Sequence, residues 1–239
     1  MTISSSIASS ISSAISSTIA GGDGNFYPSN LPNLQLWLDA SDTSTITDSS
    51  GSVSAWADKS GNGNNVTQGT GSAQPTTGVS TSNGKNVLNF DGGDSLTLPS
   101  GLFDIPNGSN TTFIVSKINA ETGSDQVMID MTEGGAERYL FTYVGSAPTG
   151  RLYFQNRASP SAGVINTGNT NTDWNVLKTR RDGTIVAISV NNETEATDTD
   201  GQNEPDIDGG AIGTRTGGTD GIIGSIAEVI IYDRSLSNV

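Results

Sequence analysis

The chain has no cysteine and no histidine among its 239 residues. The lack of cysteine excludes disulfide bonds, thiol nucleophiles and zinc sites built from cysteine ligands. The lack of histidine excludes the Ser-His-Asp and Cys-His forms of nucleophilic catalysis as well. Carboxylates, lysine, tyrosine, serine and threonine are therefore the side chains left to carry any catalytic chemistry.

Basic residues are scarce, with 11 Lys and Arg against 25 Asp and Glu, which gives a formal net charge of −14. The largest basic cluster is the pair Arg180-Arg181, so the chain has little with which to neutralise nucleic-acid phosphates. An anionic membrane surface would repel the chain, and no apolar run is long enough to span a bilayer. We therefore expect neither nucleic acid nor membrane as a partner.

A secretory signal is also missing, because the N-terminus has neither a basic region nor a continuous apolar run. The composition, rich in Gly, Ser, Thr, Asn and Asp, suits short strands joined by turns. A virion protein is made in the host cytoplasm and released by lysis, so it needs no export signal. We therefore expect the virion surface as the location of this protein.

The N-terminal segment 1–20 sets a stripe of isoleucine in serine. Its isoleucines recur at every fourth position: Ile3, Ile7, Ile11, Ile15 and Ile19. This spacing places them on one side of a helix and, being even, also on one face of an extended arm, so both conformations stay open. The stripe is too narrow to fold alone, and isoleucine seams favour trimers over dimers. We expect the segment to anchor or trimerise the protein; a disordered tail is the alternative.

The rest of the chain has strand patterns. Residues 21–30 are a linker rich in Gly, Asn and Pro, and residues 31–239 contain apolar stretches bounded by turn residues. The first stretch alternates Leu34, Leu36 and Leu38, which we assign to one face of a strand. No amphipathic helix pattern lies between the strands, which argues against a parallel α/β fold. We predict one all-β domain, a two-sheet antiparallel jelly-roll sandwich.

Four stretches carry a resemblance to a known family. They are "LQLWLDASDTSTITDSSGSVSAWADKSGNGNNVTQ" (34–68), "GKNVLNFDGGDSLTLPSG" (84–101), "RRDGTIVAISVNNE" (180–193) and "GSIAEVIIYDRSLS" (224–237). In this order they resemble the concanavalin A-like lectin/glucanase domains of the laminin G-like type. The resemblance implies a two-sheet antiparallel jelly roll, common in phage virion and bacterial surface proteins. It leaves the function open, because the fold hosts lectins, hydrolases and inert spacers.

The best match to a catalytic acid cluster is "ETEATD", with Glu193, Glu195 and Asp198. Glucanases of the resembled family carry an acidic triplet of the form E-x-D-x-x-E on one strand, and the order here is different. No aromatic residues stand beside these acids to form the walls of a sugar cleft. We expect these acids to lie at a solvated loop edge and the protein not to be an enzyme.

A sugar site is predicted around the "SGNGN" loop, since sugar sites combine aromatic rings with amide and carboxylate groups. Its candidate residues are Trp56, Asp58, Asn62, Asn64 and Asn65. The alternative is structural: the tryptophan packs between the sheets, and Asn and Gly serve the turn geometry.

A calcium site is the one cofactor hypothesis that the sequence supports. The stretch "DTDGQNEPDIDGG" contains two D-x-D-G units, with Asp198, Asp200, Asp206 and Asp208. Hard cations prefer several oxygen ligands at short spacing around a glycine turn. The stretch lacks the acidic spacing and the final Glu of an EF-hand, so a self-repelling surface loop is the alternative.

Two further stretches, "RYLFTYVG" (138–145) and "RLYFQNR" (151–157), combine aromatic residues with arginine. Tyr and Arg are favoured at protein interfaces. The alternative is that the aromatic residues line the inner face of one sheet, with the arginines at the strand ends. The residues concerned are Tyr139, Phe141, Tyr143, Tyr153, Phe154, Arg138, Arg151 and Arg157.

The hypothesis that unites these features is a phage virion structural protein. Its jelly roll would stand on the particle as a capsid decoration or head-fibre protein, anchored by residues 1–20 as a homotrimer. Other capsid or tail proteins would be its partners, and a cell-surface glycan could be its ligand. The alternatives are a tail-fibre or receptor-binding role and a secreted carbohydrate-binding adhesion module. A glycoside hydrolase is the third class.

Overall fold

The computed structural model describes residues 27–102, 109–119, 124–133, 137–144, 151–157, 163–166, 173–199 and 208–236. For the strands between residues 137 and 166, the description is confined to the backbone and its pairing. The predicted anchor, with Ile3, Ile7, Ile11, Ile15 and Ile19, lies outside the described residues and stays a prediction. Within them, no helix combines the length and the apolar character needed to cross a membrane.

The described residues form eighteen β-strands and three short 3₁₀ turns. The turns are Pro28–Asn30, Thr43–Thr45 and Gly71–Ala73. The strands are β1 (Leu34–Asp39), β2 (Ile46–Ser49), β3 (Ser52–Trp56), β4 (Val66–Thr67), β5 (Thr81–Ser82), β6 (Lys85–Asn86), β7 (Leu88–Asp91), β8 (Leu96–Leu98), β9 (Ser109–Ile118), β10 (Gln126–Glu133), β11 (Glu137–Val144), β12 (Arg151–Arg157), β13 (Gly163–Asn166), β14 (Asn175–Asp182), β15 (Ile185–Val190), β16 (Ala196–Thr199), β17 (Gly209–Ile212) and β18 (Ile223–Tyr232).

The strands build two large sheets and one small ribbon. One sheet has the order β1-β18-β9-β14-β15-β16, with β7 pairing to β18 beside β1. The other has the order β13-β12-β11-β10-β17-β8-β4-β3-β2, and β5 pairs with β6 alone. Every strand pair in the described residues is antiparallel. The prediction of an all-β, two-sheet antiparallel sandwich is confirmed.

The main core lies between the two sheets. The seven-stranded sheet contributes Leu36, Ile114 and Ile231 to it, among others, and the nine-stranded sheet contributes Trp56 and Ile129. These side chains come from alternate positions of their strands, because successive residues of a strand face opposite sides of the sheet. Burial of such large apolar surfaces supplies most of the driving force that holds the sheets together.

The predicted common face of Leu34, Leu36 and Leu38 is wrong at one position. Leu36 and Leu38 are fully buried in the core between the sheets, as expected. Leu34 instead packs against a second apolar cluster on the outer face of the seven-stranded sheet. The reason is an irregularity in the pairing of β1 with β18 between Leu34 and Leu36, since one extra residue in a ladder moves a side chain to the other face.

The outer face of the seven-stranded sheet is covered by the segments that flank the first and last strands. Leu31 and Leu236 are buried there against Phe113 and Tyr232. The Tyr232 hydroxyl donates to the carbonyl oxygen of Pro28 at 2.9 Å. Both faces of β18 are therefore buried, which explains why its sequence is apolar almost throughout.

Gly224 of β18 lies where the backbone approaches a neighbouring strand too closely for any side chain. A Cβ atom at this position would clash with the carbonyl oxygen of Lys117 in β9. We expect Gly224→Ala to lower the free energy of unfolding by about 2–3 kcal/mol, because the strands must separate to admit the methyl group. Gly69→Ala is the matched control, since a Cβ atom there meets nothing within 4 Å. Urea denaturation of both variants tests this expectation, and equal midpoints would contradict it.

Candidate functional site

The candidate sugar site is built around the Asp58 carboxylate, in the loop between β3 and β4. Its Oδ1 accepts hydrogen bonds from the backbone N–H of Trp37 at 2.9 Å and of Ser60 at 2.8 Å. Its Oδ2 accepts from the Ser60 hydroxyl at 2.7 Å and from the Asn64 N–H at 3.0 Å. Four donors converge on one carboxylate, which therefore fixes the loop and ties it to β1.

The asparagines of the loop complete this attachment. Asn62 Nδ2 donates to the carbonyl oxygens of Leu34 at 2.8 Å and Gln35 at 3.1 Å, and Asn64 Nδ2 donates to the Gln35 oxygen at 2.9 Å. The loop closes on itself through Asn65, whose Oδ1 accepts from the Asp58 N–H at 2.8 Å. These polar groups saturate the irregular edge of β1 rather than an open ligand surface.

The prediction that Trp56 contacts a sugar is wrong. Trp56 has no exposed surface and belongs to the core between the sheets. It pairs with Val66 of β4 at the end of β3 and so lies on the inner face of the nine-stranded sheet. Asp58, Asn62, Asn64 and Asn65 do lie together, but they hold the loop, as the structural alternative expects.

Asp58→Asn tests the role of this carboxylate as the centre of the loop. The amide would replace one acceptor oxygen with an NH₂ group that faces N–H and O–H donors, so at least one hydrogen bond is lost. We expect the free energy of unfolding to fall by about 1–3 kcal/mol. The exposed Asp48 accepts a single hydrogen bond, from Gly51 N–H at 2.8 Å, so Asp48→Asn is the control and should cost less. A thermal midpoint for Asp58→Asn at or above that of Asp48→Asn would contradict the assignment.

A charged cluster lies next to this loop on the outer face of the seven-stranded sheet. The Lys59 ammonium pairs with Asp39 at 2.9 Å and with Asp42 at 3.0 Å. The same ammonium lies 4.5 Å from the centroid of the Trp37 ring, within cation–π range. The Trp37 indole N–H donates to Glu228 Oε1 at 2.8 Å, so the cluster links β1, the loop and β18.

Glu228 is the most unusual member of this cluster. Burial, reinforced by the nearby carboxylate of Asp39, raises the pKa of Glu228 to about 8, although the hydrogen bond from Trp37 opposes the shift. A carboxyl group with this pKa is protonated at neutral pH. Sequence reasoning missed Glu228; the signal was a lone acid inside the apolar run "IAEVIIY".

Glu195, the central acid of the catalytic candidate "ETEATD", is held in a buried ion cluster on the same outer face. Its Oε1 lies 2.6 Å from Lys178 Nζ. Its two oxygens accept from Arg180 Nε at 2.9 and 3.0 Å and from Arg180 Nη2 at 2.7 Å. Burial opposes ionisation of Glu195, but the hydrogen bonds from Arg180 and Lys178 prevail and lower its pKa.

The other two acids of that candidate do not join Glu195. Glu193 is exposed in the turn after β15, and Asp198 is exposed in β16, opposite Val186. Glu195 itself is engaged by two cations, so the three carboxyl groups do not face a common cleft.

The calcium candidate can be followed only in part. Asp200 and Asp206 lie outside the described residues. Asp198 and Asp208 are exposed, and Asp198 Oδ1 accepts from the Thr199 N–H at 2.7 Å. In the described part of the chain, no group of three or more Asp, Glu, His or Cys could hold a metal ion. The calcium site stays a prediction.

Comparisons with known proteins agree with this architecture. The family model described as the concanavalin A-like lectin/glucanases superfamily matches residues 90–238, more than half of the chain. A search of curated protein sequences finds no match.

Solved structures with the same fold come from several proteins. A Trypanosoma rangeli sialidase bound to a difluorinated sugar acid has a TM-score of 0.64 and 13% identity, over 98% of this chain and 37% of the sialidase. Domain 4 of AbnA, an extracellular GH43 arabinanase of Geobacillus stearothermophilus, in complex with arabinotriose, has a TM-score of 0.63 and 16% identity, over 86% of this chain and 95% of that domain. The binding domain of botulinum neurotoxin serotype D has a TM-score of 0.61 and 13% identity, over 86% of this chain and 49% of that domain.

The chain spans about a third of the length of the sialidases that it matches. Identities of 13–16% show a shared fold and nothing about activity.

Proposed function

The chain belongs to the concanavalin A-like lectin/glucanase superfamily, and from this membership we propose that it is a carbohydrate-binding module without hydrolytic activity, displayed on the surface of a phage virion. The observation that supports the binding role is the sandwich of two antiparallel sheets, together with the match to a family of lectin-like domains. The neighbouring arabinanase domain, which is matched over nearly its whole length, is described with arabinotriose bound. A domain of this size and fold can therefore hold an oligosaccharide without the rest of an enzyme.

The ion cluster around Glu195 argues against hydrolysis by this carboxyl group. A retaining glycosidase needs two carboxyl groups about 5–5.5 Å apart, and its general acid needs a raised pKa. The pKa of Glu195 is lowered by Arg180 and Lys178, so this carboxyl group suits neither proton donation nor nucleophilic attack. Glu228 has the raised pKa of a general acid, but only 4% of its surface is exposed, so no glycosidic oxygen can reach it.

A glycan array combined with a hydrolysis assay tests the binding role. We expect the full chain to bind at least one glycan class on the array and to release no reducing sugar from that glycan over an overnight incubation. Binding to no glycan would overturn the carbohydrate-binding proposal. Any release of reducing sugar would overturn the non-catalytic part, and its loss in Glu195→Gln would assign the hydrolysis to Glu195.

The virion placement is supported by the isoleucine pattern of residues 1–20 and by the arrangement of the strand ends. The side-chain Nδ2 of Asn33 donates to the backbone carbonyl oxygen of Asp233 at 3.1 Å. The backbone N–H of Asp233 donates in return to the backbone carbonyl oxygen of Asn33 at 2.9 Å. The start of β1 and the end of β18 therefore lie together at one end of the sandwich. An anchor attached there would leave the opposite end of the domain directed away from the particle.

Immunogold electron microscopy on a lysate of the producing cells tests the placement. Gold on capsids would support a decoration or head-fibre protein, and gold on tails a receptor-binding fibre. Gold confined to cell walls would overturn the virion proposal in favour of a secreted adhesion module.

Deletion of residues 1–20 tests the anchor. We expect a folded monomer by light scattering that no longer joins particles, whereas the full chain forms a homotrimer. A truncated protein that still assembles would overturn the anchoring role.

A further inference from the structure

Strand β12 has a sequence in which two sets of residues alternate. One set contains both arginines of the strand, and the other contains its leucine and its phenylalanine. The polar set at every second position consists of Arg151, Tyr153, Gln155 and Arg157. The intervening positions hold Leu152, Phe154 and Asn156. An alternation of this kind is typical of a strand with one face toward a core and the other away from it.

The backbone register decides which set belongs to which face. Ile129 and Met131 of β10 lie in the core between the sheets. Ile129 pairs with Phe141 of β11, and Phe141 pairs with Phe154 of β12. Directly paired residues share a face of an antiparallel sheet, so Phe154 takes an inner-face position. The polar set of β12 therefore occupies outer-face positions of the nine-stranded sheet.

The same register brings a third arginine to this face. Arg138 of β11 pairs directly with Arg157 of β12. Two like charges at directly opposed positions destabilise a sheet, and the cost stands out in a chain with 11 basic residues and a net charge of −14. An anionic ligand between the two positions would convert this cost into a favourable interaction, because guanidinium groups match carboxylate geometry in a bidentate manner.

We propose that the outer-face row Arg151, Tyr153, Gln155 and Arg157, with Arg138 beside Arg157, binds an acidic oligosaccharide that carries carboxylate groups. The row covers about 20 Å along the strand, which suits several linked sugars rather than one. Arginine would bind the carboxylates, glutamine the hydroxyl groups and tyrosine the face of a sugar ring. This inference rests on the proposed carbohydrate-binding function and names the ligand class for it.

Acidic residues on this face do not cancel the row. Among the paired positions of β10 to β13 on the outer face, the one acid is Asp130, which pairs with Leu140 next to Arg138. Asp130 is fully buried and its Oδ2 accepts from the Thr216 N–H at 2.7 Å. By backbone position, the outer face of these strands therefore carries three arginines and one acid, an excess of basic residues.

Calorimetric titration of the full chain with a galacturonate tetramer tests the proposal. Its methyl-esterified form is the matched neutral probe, because it keeps the sugar backbone and removes the carboxylate charge. We expect the acid to bind at least tenfold more tightly than the ester. Arg157→Gln and Arg138→Gln should each weaken acid binding at least tenfold. The affinity of Arg157→Lys should lie between those of the parent and Arg157→Gln, because lysine keeps the positive charge but lacks the paired N–H donors of the guanidinium group.

Lys85→Gln is the control, since it removes an exposed charge from the separate β5-β6 ribbon and should bind as the parent does. Circular dichroism checks that each variant is folded, and the lysine variant keeps the test informative if a glutamine variant is not. Equal affinity for acid and ester, or undiminished acid binding by the arginine variants, would overturn the proposal. If neutral glycans bind on the array and acidic ones do not, only this inference fails; if no glycan binds, the proposed function fails with it.

Discussion

Replacing Glu195 with alanine should lower the free energy of unfolding by about 3–5 kcal/mol, because it removes one partner from a buried ion cluster. Only 11% of the Glu195 side chain is exposed, and its partners Lys178 and Arg180 are 7% and 10% exposed. Without the carboxylate, the buried positive charges of Lys178 and Arg180 remain close together on the outer face of the seven-stranded sheet. Urea denaturation at pH 7 measures the loss directly.

Two further variants separate this mechanism from a general loss of contacts. Glu193→Ala removes an exposed acid two residues away and should cost less than about 1 kcal/mol. Adding Lys178→Met to Glu195→Ala removes one of the two cations that have lost their carboxylate partner and keeps an apolar side chain of similar length. The double variant should therefore regain at least about 1 kcal/mol of the free energy of unfolding. A double variant less stable than Glu195→Ala alone would contradict the charge explanation.

The strands of this fold could be predicted because apolar spacing reflects burial. The run that became β18 is apolar on both faces, and both faces are covered, by the opposite sheet and by the segments around Leu31 and Leu236. The spacing of Leu34, Leu36 and Leu38 was equally regular, yet Leu34 lies on the other face. A bulge is set by pairing with a distant strand, so the spacing of one strand cannot reveal it.

The candidate site could be predicted only where its members are close in the chain. Asp58, Asn62, Asn64 and Asn65 lie within eight residues, so the sequence alone places them in one loop, but their hydrogen-bond partners on β1 come from tertiary docking. The contact between Trp37 and Glu228 joins residues 191 positions apart. Such a pair becomes visible only once the register of β1 with β18 is known.

Glu228→Gln should abolish most of the pH dependence of stability between pH 6 and pH 8. In the folded protein the pKa of Glu228 is about 8, against an ordinary value of 4.5. Between these two values the folded state holds a proton that the unfolded state has released, so stability falls as the pH rises through this window and is constant above it. From pH 6 to pH 8 the parent should lose roughly 2–3 kcal/mol. The glutamine variant should lose little, because its amide has no proton to release.

Few other side chains of this protein titrate between pH 6 and pH 8. Histidine and cysteine are absent. Among the described residues, the other acid with a raised pKa is Asp94, whose pKa is about 6 because of its burial, so most of its effect falls below the window. Glutamine Oε1 can still accept the Trp37 indole N–H, so at pH 5 the variant and the parent should be about equally stable. Glu193→Gln, an exposed carboxyl group, should follow the parent curve. Urea titrations at five pH values decide the matter: parallel curves for the parent and Glu228→Gln would show that the Glu228 carboxyl is ionised throughout, and that another group accounts for any slope.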